Sequence, residues 1–244
     1  MVRDLAAAAL VALAGAGATW WLLGLAASYL LASLVVFGAI ASLVLAGLPA
    51  GSPGPGVGTA NRVTLARAAL AVPVLALCIP PLPLGAAGAW WVIGVSTVVM
   101  VLDAVDGRVA RRTSTQTGFG ARFDMELDAA LIMALSVLVW TEGRAGVWCL
   151  LIGLMRYLFV LAGWIWPALR ADLRESLRRK AVCVAQGVVL LVALGPVIPA
   201  AFATSVVAAG LVVLAYSFAV DVRWLLGPLN QQRRPGSRSQ SPEE

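Results

Sequence analysis

The stretch Leu102–Asp128, LDAVDGRVARRTSTQTGFGARFDMELD, places four aspartates, a glutamate and a run of arginines in a chain that is otherwise strongly apolar. Asp103 and Asp106 stand three residues apart at the end of one apolar segment, and Asp124 and Asp128 stand four apart at the start of the next. Residues at these spacings share a helix face, so two neighbouring helices can aim four carboxylates into one space. Five of the twelve acidic residues fall between positions 103 and 128, and ionisable groups near membrane depth are costly enough to require a partner. A structural ion pair would account for a single Asp/Arg couple at a helix end. Four acids in two same-face pairs, with the small residues Gly107 and Ala110 among them, are better explained by bound divalent metal. An all-oxygen set without histidine or cysteine suits hard ions such as Mg²⁺, Mn²⁺ or Ca²⁺. Two such ions ~4 Å apart form the clamp used for displacement at phosphorus. Missing side-chain bulk at Gly107 and Ala110 lets a ligand or a second backbone approach. Arg111, one turn beyond Gly107, is placed to meet phosphate oxygens.

Composition sets the surroundings of this cluster. Of 244 residues, 61% are hydrophobic and 12% charged, with a mean hydropathy of +0.91, against roughly one-quarter charged residues in ordinary soluble domains. The chain reads as an integral membrane protein. It has no histidine, which removes the commonest general base and any Ser-His or Cys-His nucleophile pair. Cys78, Cys149 and Cys183 lie scattered in apolar runs, with no spacing that suggests a disulfide frame or thiolate metal site. The net charge of +6 does not point to nucleic acid, because the basic residues sit in short loops between apolar spans rather than on a soluble face.

A bilayer core takes about 20 apolar residues per helix. Residues 5–45 are long enough for two spans with a break near Gly24, and the Gly/Pro-rich stretch that follows reads as a linker. Further spans are expected at roughly 63–79, 89–109, 120–140, 147–166, 182–198 and 201–220. This divides the chain into a transmembrane hairpin (1–47), a linker (48–60), a six-helix catalytic domain (61–228) and a polar, disordered cytoplasmic tail (229–244). With the N-terminus in the cytoplasm, all of the 18 lysines and arginines except Arg144 and Arg156 fall on that side, and this asymmetry fixes orientation. The tryptophans agree: Trp20, Trp21, Trp90, Trp91, Trp140 and Trp148 fall at outer ends, and Trp164, Trp166 and Trp224 at inner ends. The expected location is a cell inner (plasma) membrane, multi-pass, with the active site facing the cytoplasm.

The spacing Asp103-x2-Asp106-Gly107-x2-Ala110-Arg111-x8-Gly120-x3-Asp124-x3-Asp128 resembles the signature of the CDP-alcohol phosphatidyltransferase family at every fixed position. The resemblance covers about residues 60–225 and implies an all-α integral membrane protein, a six-helix bundle with a polar cavity open to the cytoplasm, here preceded by the two-helix hairpin. It implies that Asp103, Asp106 and Asp124 ligate two divalent ions, Mg²⁺ or Mn²⁺, with Asp128 completing the site and acting as general base. It also implies that Gly107, Ala110, Arg111 and Gly120 line the CDP pocket. The stretch NRVTLAR resembles one that often opens the family's first core helix, which implies a donor-binding role for Asn61, Thr64 and Arg67. Lys180 and Gln186 resemble part of a stretch seen in phosphatidylglycerophosphate synthases, although Val182 and Cys183 replace its second lysine and threonine. Lys180 is expected either to contact ligand or to serve as a topology anchor. Arg156 lies inside a span, where it reads as an anchor for an anionic acceptor or as a counter-ion to the aspartates.

The expected activity is transfer of a phosphatidyl group from CDP-diacylglycerol to a small alcohol, such as glycerol 3-phosphate or an inositol phosphate, with release of CMP. Within the family the alternative is a CDP-aminoalcohol phosphotransferase acting on diacylglycerol. From another class, a cation or proton transporter would spread its acids toward the midplane of several spans. The expected partners are a CDP-linked lipid, a small alcohol and the bilayer, with no nucleic acid, and a homodimer is a further expectation.

Overall fold

The computed structural model describes residues 2–47, 59–79, 83–113, 118–170 and 176–227, with side chains omitted at 2, 59–62, 105–113, 118–119, 167 and 170. Most of the expected linker (48–58) and the whole expected tail lie outside these residues. Eight α-helices are described: α1 (Val2–Leu23), α2 (Ser28–Gly47), α3 (Thr59–Ala76), α4 (Gly85–Thr113), α5 (Gly118–Thr141), α6 (Leu150–Ile165), α7 (Leu177–Leu194) and α8 (Ala200–Leu226). Short 3-10 turns lie at Val147–Cys149 and Pro167–Arg170. The all-helical membrane fold expected from the sequence is what the chain adopts.

Two helix ends show how the chain reverses. Gly24 (φ +59°) follows α1, and the Leu25 N–H reaches back to the Trp20 carbonyl at 3.1 Å. Gly143 (φ +65°) follows α5, with Gly143 N–H on Trp140 O at 2.9 Å and Arg144 N–H on Val139 O at 3.0 Å. These left-handed residues satisfy the last helical carbonyls, a conformation that glycine adopts without steric cost.

At the centre of the bundle is α3, which contacts α1, α2, α4 and α5. Ala68, Ala69, Ala71, Val72, Val74 and Ala76 on it are fully buried. Lipid tails are as apolar as leucine, so helices in a bilayer associate through close packing, which small residues permit. Accordingly, α1 presents Ala8, Ala12 and Ala16, all buried, and a Cβ added at Gly15 would stand 2.9 Å from Pro73 Cγ. The Tyr29 hydroxyl donates to Pro73 O at 3.0 Å, and Trp91 Nε1 donates to Thr19 Oγ1 at 2.8 Å. The leading hairpin is therefore laced to α3 and α4. A Cβ at Gly153 would likewise stand 2.5 Å from the Met133 Cα, so α6 seats against α5 through that glycine.

Among the described residues, five stretches are long and apolar enough to cross a membrane: 3–23, 28–47, 85–104, 147–165 and 200–226. The sequence reading expected eight spans; α3, α5 and α7 fall short because of their charges. These are Arg62 and Arg67 on α3, the 122–128 group on α5, and Arg178, Arg179 and Lys180 on α7. These three helices meet one another through α5, which contacts both α3 and α7, so the chain groups its polar helices.

The opposite end of the bundle explains one exception in the charge pattern. Arg144 donates through Nε to Ala193 O at 2.9 Å and through Nη2 to Gly195 O at 2.6 Å, and it also bonds Ile198 O. Thr204 Oγ1 donates to Arg144 O at 2.9 Å. A cation beside the carbonyls that end α7 is favourable both for hydrogen bonding and for the helix dipole, so Arg144 ties the α7–α8 connection to the end of α5.

Candidate metal and donor site

The site draws its carboxylates from α4 and α5. The apolar stretch of α4, Gly85–Ala104, has 20 residues, about 30 Å of helix at 1.5 Å per residue, matching the hydrocarbon core. Asp103 lies near the end of that apolar stretch, ten residues before the last residue of α4. Asp124 and Asp128 lie in the second and third turns of α5, on the same face. One oxygen from each of Asp103, Asp124 and Asp128 can be chosen so that all three lie within 4.8 Å of one another. Oxygens bound to a single Mg²⁺ or Ca²⁺ at about 2.0–2.6 Å stand no farther apart than about 5 Å, so these three fit one hard divalent ion.

Arg67, from the third turn of α3, enters the same cluster. Its Nη1 lies 2.7 Å from Asp103 Oδ1 and also bonds Asp124 Oδ1, while Nη2 bonds Asp128 Oδ1 at 2.9 Å. The guanidinium is 2% exposed, whereas the three carboxylates keep 31–36% of their side chains exposed. Arg67 thus backs the cluster from the protein interior, and the acids open toward an accessible side. Its buried Nε has no hydrogen-bond partner among the described residues.

The other expected residues divide by position. Thr64 lies one turn before Arg67, and Gly120 one turn before Asp124. Asp106, Gly107, Ala110 and Arg111 lie on the last turns of α4 and Asn61 on the first turn of α3, but their side chains fall outside the described residues. Lys180 lies on the first turn of α7, along an outward apolar groove with Leu177, Ala181, Val184 and Val188. Gln186 is buried and donates from Nε2 to Gly210 O at 3.1 Å, joining α7 to α8. Arg156 bonds Glu126 and also reaches Met125 Sδ at 2.8 Å. Glu126 is two residues past Asp124 and so points to a different face of α5, which separates this pair from the aspartate cluster.

Two features went unread in the sequence. Glu126 answers the charge of Arg156. Asp221, 7% exposed, bonds Arg178 and lies 3.5 Å from Arg179, while Arg178 Nη1 also donates to Ser217 O at 2.7 Å. The available signal was an acid near the end of α8 at the depth of the arginines that open α7. This clamp ties the start of α7 to the end of α8.

No curated protein and no solved structure shows significant similarity to the chain. The family model for CDP-alcohol phosphatidyltransferases, by contrast, matches residues 57–221. That span takes in α3 through most of α8 and with them every member of the carboxylate cluster and the arginine behind it. The chain thus belongs to the CDP-alcohol phosphatidyltransferase family.

Proposed function

We infer that this membrane transferase moves a phosphatidyl group from CDP-diacylglycerol to a small water-soluble alcohol, with glycerol 3-phosphate or an inositol phosphate as the leading acceptor, and releases CMP. The observation that carries this reading is the convergence of Asp103, Asp124 and Asp128, three partly exposed carboxylates from α4 and α5, within 4.8 Å of one another. The acceptor hydroxyl oxygen attacks the lipid-bearing phosphorus, the bond from that phosphorus to the bridging oxygen breaks, and CMP leaves with the oxygen. Asp128 accepts the hydroxyl proton. Bound Mg²⁺ or Mn²⁺, held by Asp103, Asp124 and Asp128 and by Asp106 where a second ion binds, supplies charge neutralisation at the phosphates. Arg111, Gly107, Ala110 and Gly120 hold the cytidine diphosphate portion, with Asn61 and Thr64 at its edge. Holding both substrates in one cavity supplies much of the remaining acceleration through orientation.

Residues 1–47 act as a built-in packing element for the catalytic residues 61–228, and the charged end faces the cytoplasm of the inner membrane. The transport alternative loses support because the acids of the cluster converge on one point instead of being spread over several spans. For Arg156, pairing with Glu126 adds nothing to the anionic-acceptor reading.

The test is CMP release from CDP-diacylglycerol across a panel of alcohols, in inverted and right-side-out vesicles. Release is expected with Mg²⁺ or Mn²⁺, to vanish in excess EDTA, and to need inverted vesicles when the acceptor is impermeant. Full activity in EDTA would sink the metal-dependent mechanism. Turnover only with a CDP-aminoalcohol and diacylglycerol would establish the alternative reading.

A further inference from the structure

The geometry points to Arg67 as a positioning residue that sets the metal affinity of the carboxylate cluster, acting from the buried side as a fixed competing cation; this rests on the metal-dependent reading above. Its two Nη atoms contact one oxygen on each of Asp103, Asp124 and Asp128. Those carboxylates also form the one group of at least three metal-ligating side chains that comes together among the described residues. The guanidinium cannot lose its charge, and at 2% exposure it is poorly screened by solvent. Among the described residues, Arg67 offsets one of the three carboxylate charges of the cluster. Without Arg67, three negative charges would face one another within 4.8 Å. The cluster would then repel itself when empty and attract a divalent ion more strongly when one is offered. Arg67 thereby fulfils two demands at once: it permits three acids to be held close together, and it keeps the ion exchangeable.

A residue that merely supports the fold would give the opposite sign on substitution, because loosening the carboxylates would weaken metal binding. The experiment measures Mn²⁺ affinity by electron paramagnetic resonance on full-length protein, alongside thermal unfolding in EDTA and in Mn²⁺. Arg67→Gln is expected to bind Mn²⁺ roughly tenfold or more tightly than the parent, given the size of unit-charge interactions near 4 Å in a partly buried site. Its midpoint of unfolding should fall in EDTA, and the rise on adding Mn²⁺ should exceed that of the parent. Arg67→Lys retains a charge but not the fork that reaches three acids, so its affinity should lie between the two. Arg67→Gln is to be purified in Mn²⁺ throughout; if it still does not fold, the order of parent and Arg67→Lys decides. Equal or weaker Mn²⁺ binding in the variants would overturn the proposal and leave the metal-dependent reading in place. Absence of Mn²⁺ binding to the parent would overturn both.

Discussion

Asp128→Asn is expected to lower CMP release by on the order of 10²- to 10⁴-fold, the usual contribution of a positioned general base, while Mn²⁺ binding persists. The reason lies in how the three acids are held. Asp103 and Asp124 share the Nη1 of Arg67, whereas Asp128 is held apart on Nη2. It is thus the member best placed to face a reacting hydroxyl while the other two are committed to a cation. Asparagine keeps an oxygen at the position and removes the basicity. Asp103→Asn should instead lose Mn²⁺ binding and turnover together. A fall of less than tenfold for Asp128→Asn, with the protein folded, would show that another group takes the proton.

Removing residues 2–47 should leave little folded protein, even though the family match begins only at residue 57. The stretch covers the outward side of α3 with Ala8, Ala12 and Ala16, donates the Tyr29 hydroxyl to Pro73 O, and holds Trp91 through Thr19. Without it, a helix rich in alanine that carries Arg67 would face lipid. The expected result is aggregation on gel filtration and loss of a cooperative unfolding transition. Gly15→Val is the milder version: its added carbons meet the rigid Pro73 ring, and overpacking of this kind costs typically 1–3 kcal/mol. A truncated protein that remains monodisperse and active would show that the family bundle stands alone.

The sequence disclosed what depends on local spacing. The pairs Asp103/Asp106 and Asp124/Asp128, the apolar runs and the break at Gly24 are all set by neighbours within one or two turns, and the helices follow them. Partners distant in the chain were not legible. Arg67 meets acids 36, 57 and 61 positions away, and no periodicity on α3 indicates which face turns toward α5. Nothing local therefore signalled that the side chain read for donor binding also sits among the carboxylates. Arg156 was read for an acceptor or for the aspartates, because Glu126 lay inside the acidic stretch and was counted with it. Its angular offset from Asp124 on α5 was the clue. Span counting also treated α3, α5 and α7 as equals of the other helices, although their charges set them apart.

Arg67 on α3 also bears on how the chain enters the membrane during synthesis. When α3 leaves the ribosome, Asp103, Asp124 and Asp128 have not yet emerged, so its arginine must enter the bilayer without the acids that later neutralise it. On the scale of translocon insertion an arginine near the centre of a span costs about 2.5–3.5 kcal/mol, and α3 has only a short apolar run, Val63–Ala76, to offset this. The already inserted α1–α2 pair offers a surface of alanines rather than lipid, so stable integration of α3 should depend on it. Nascent chains truncated after α3 and bearing a glycosylation reporter should integrate with residues 2–47 present and stall without them. Equal integration in both would mean that α3 enters unaided and finds the hairpin only afterwards.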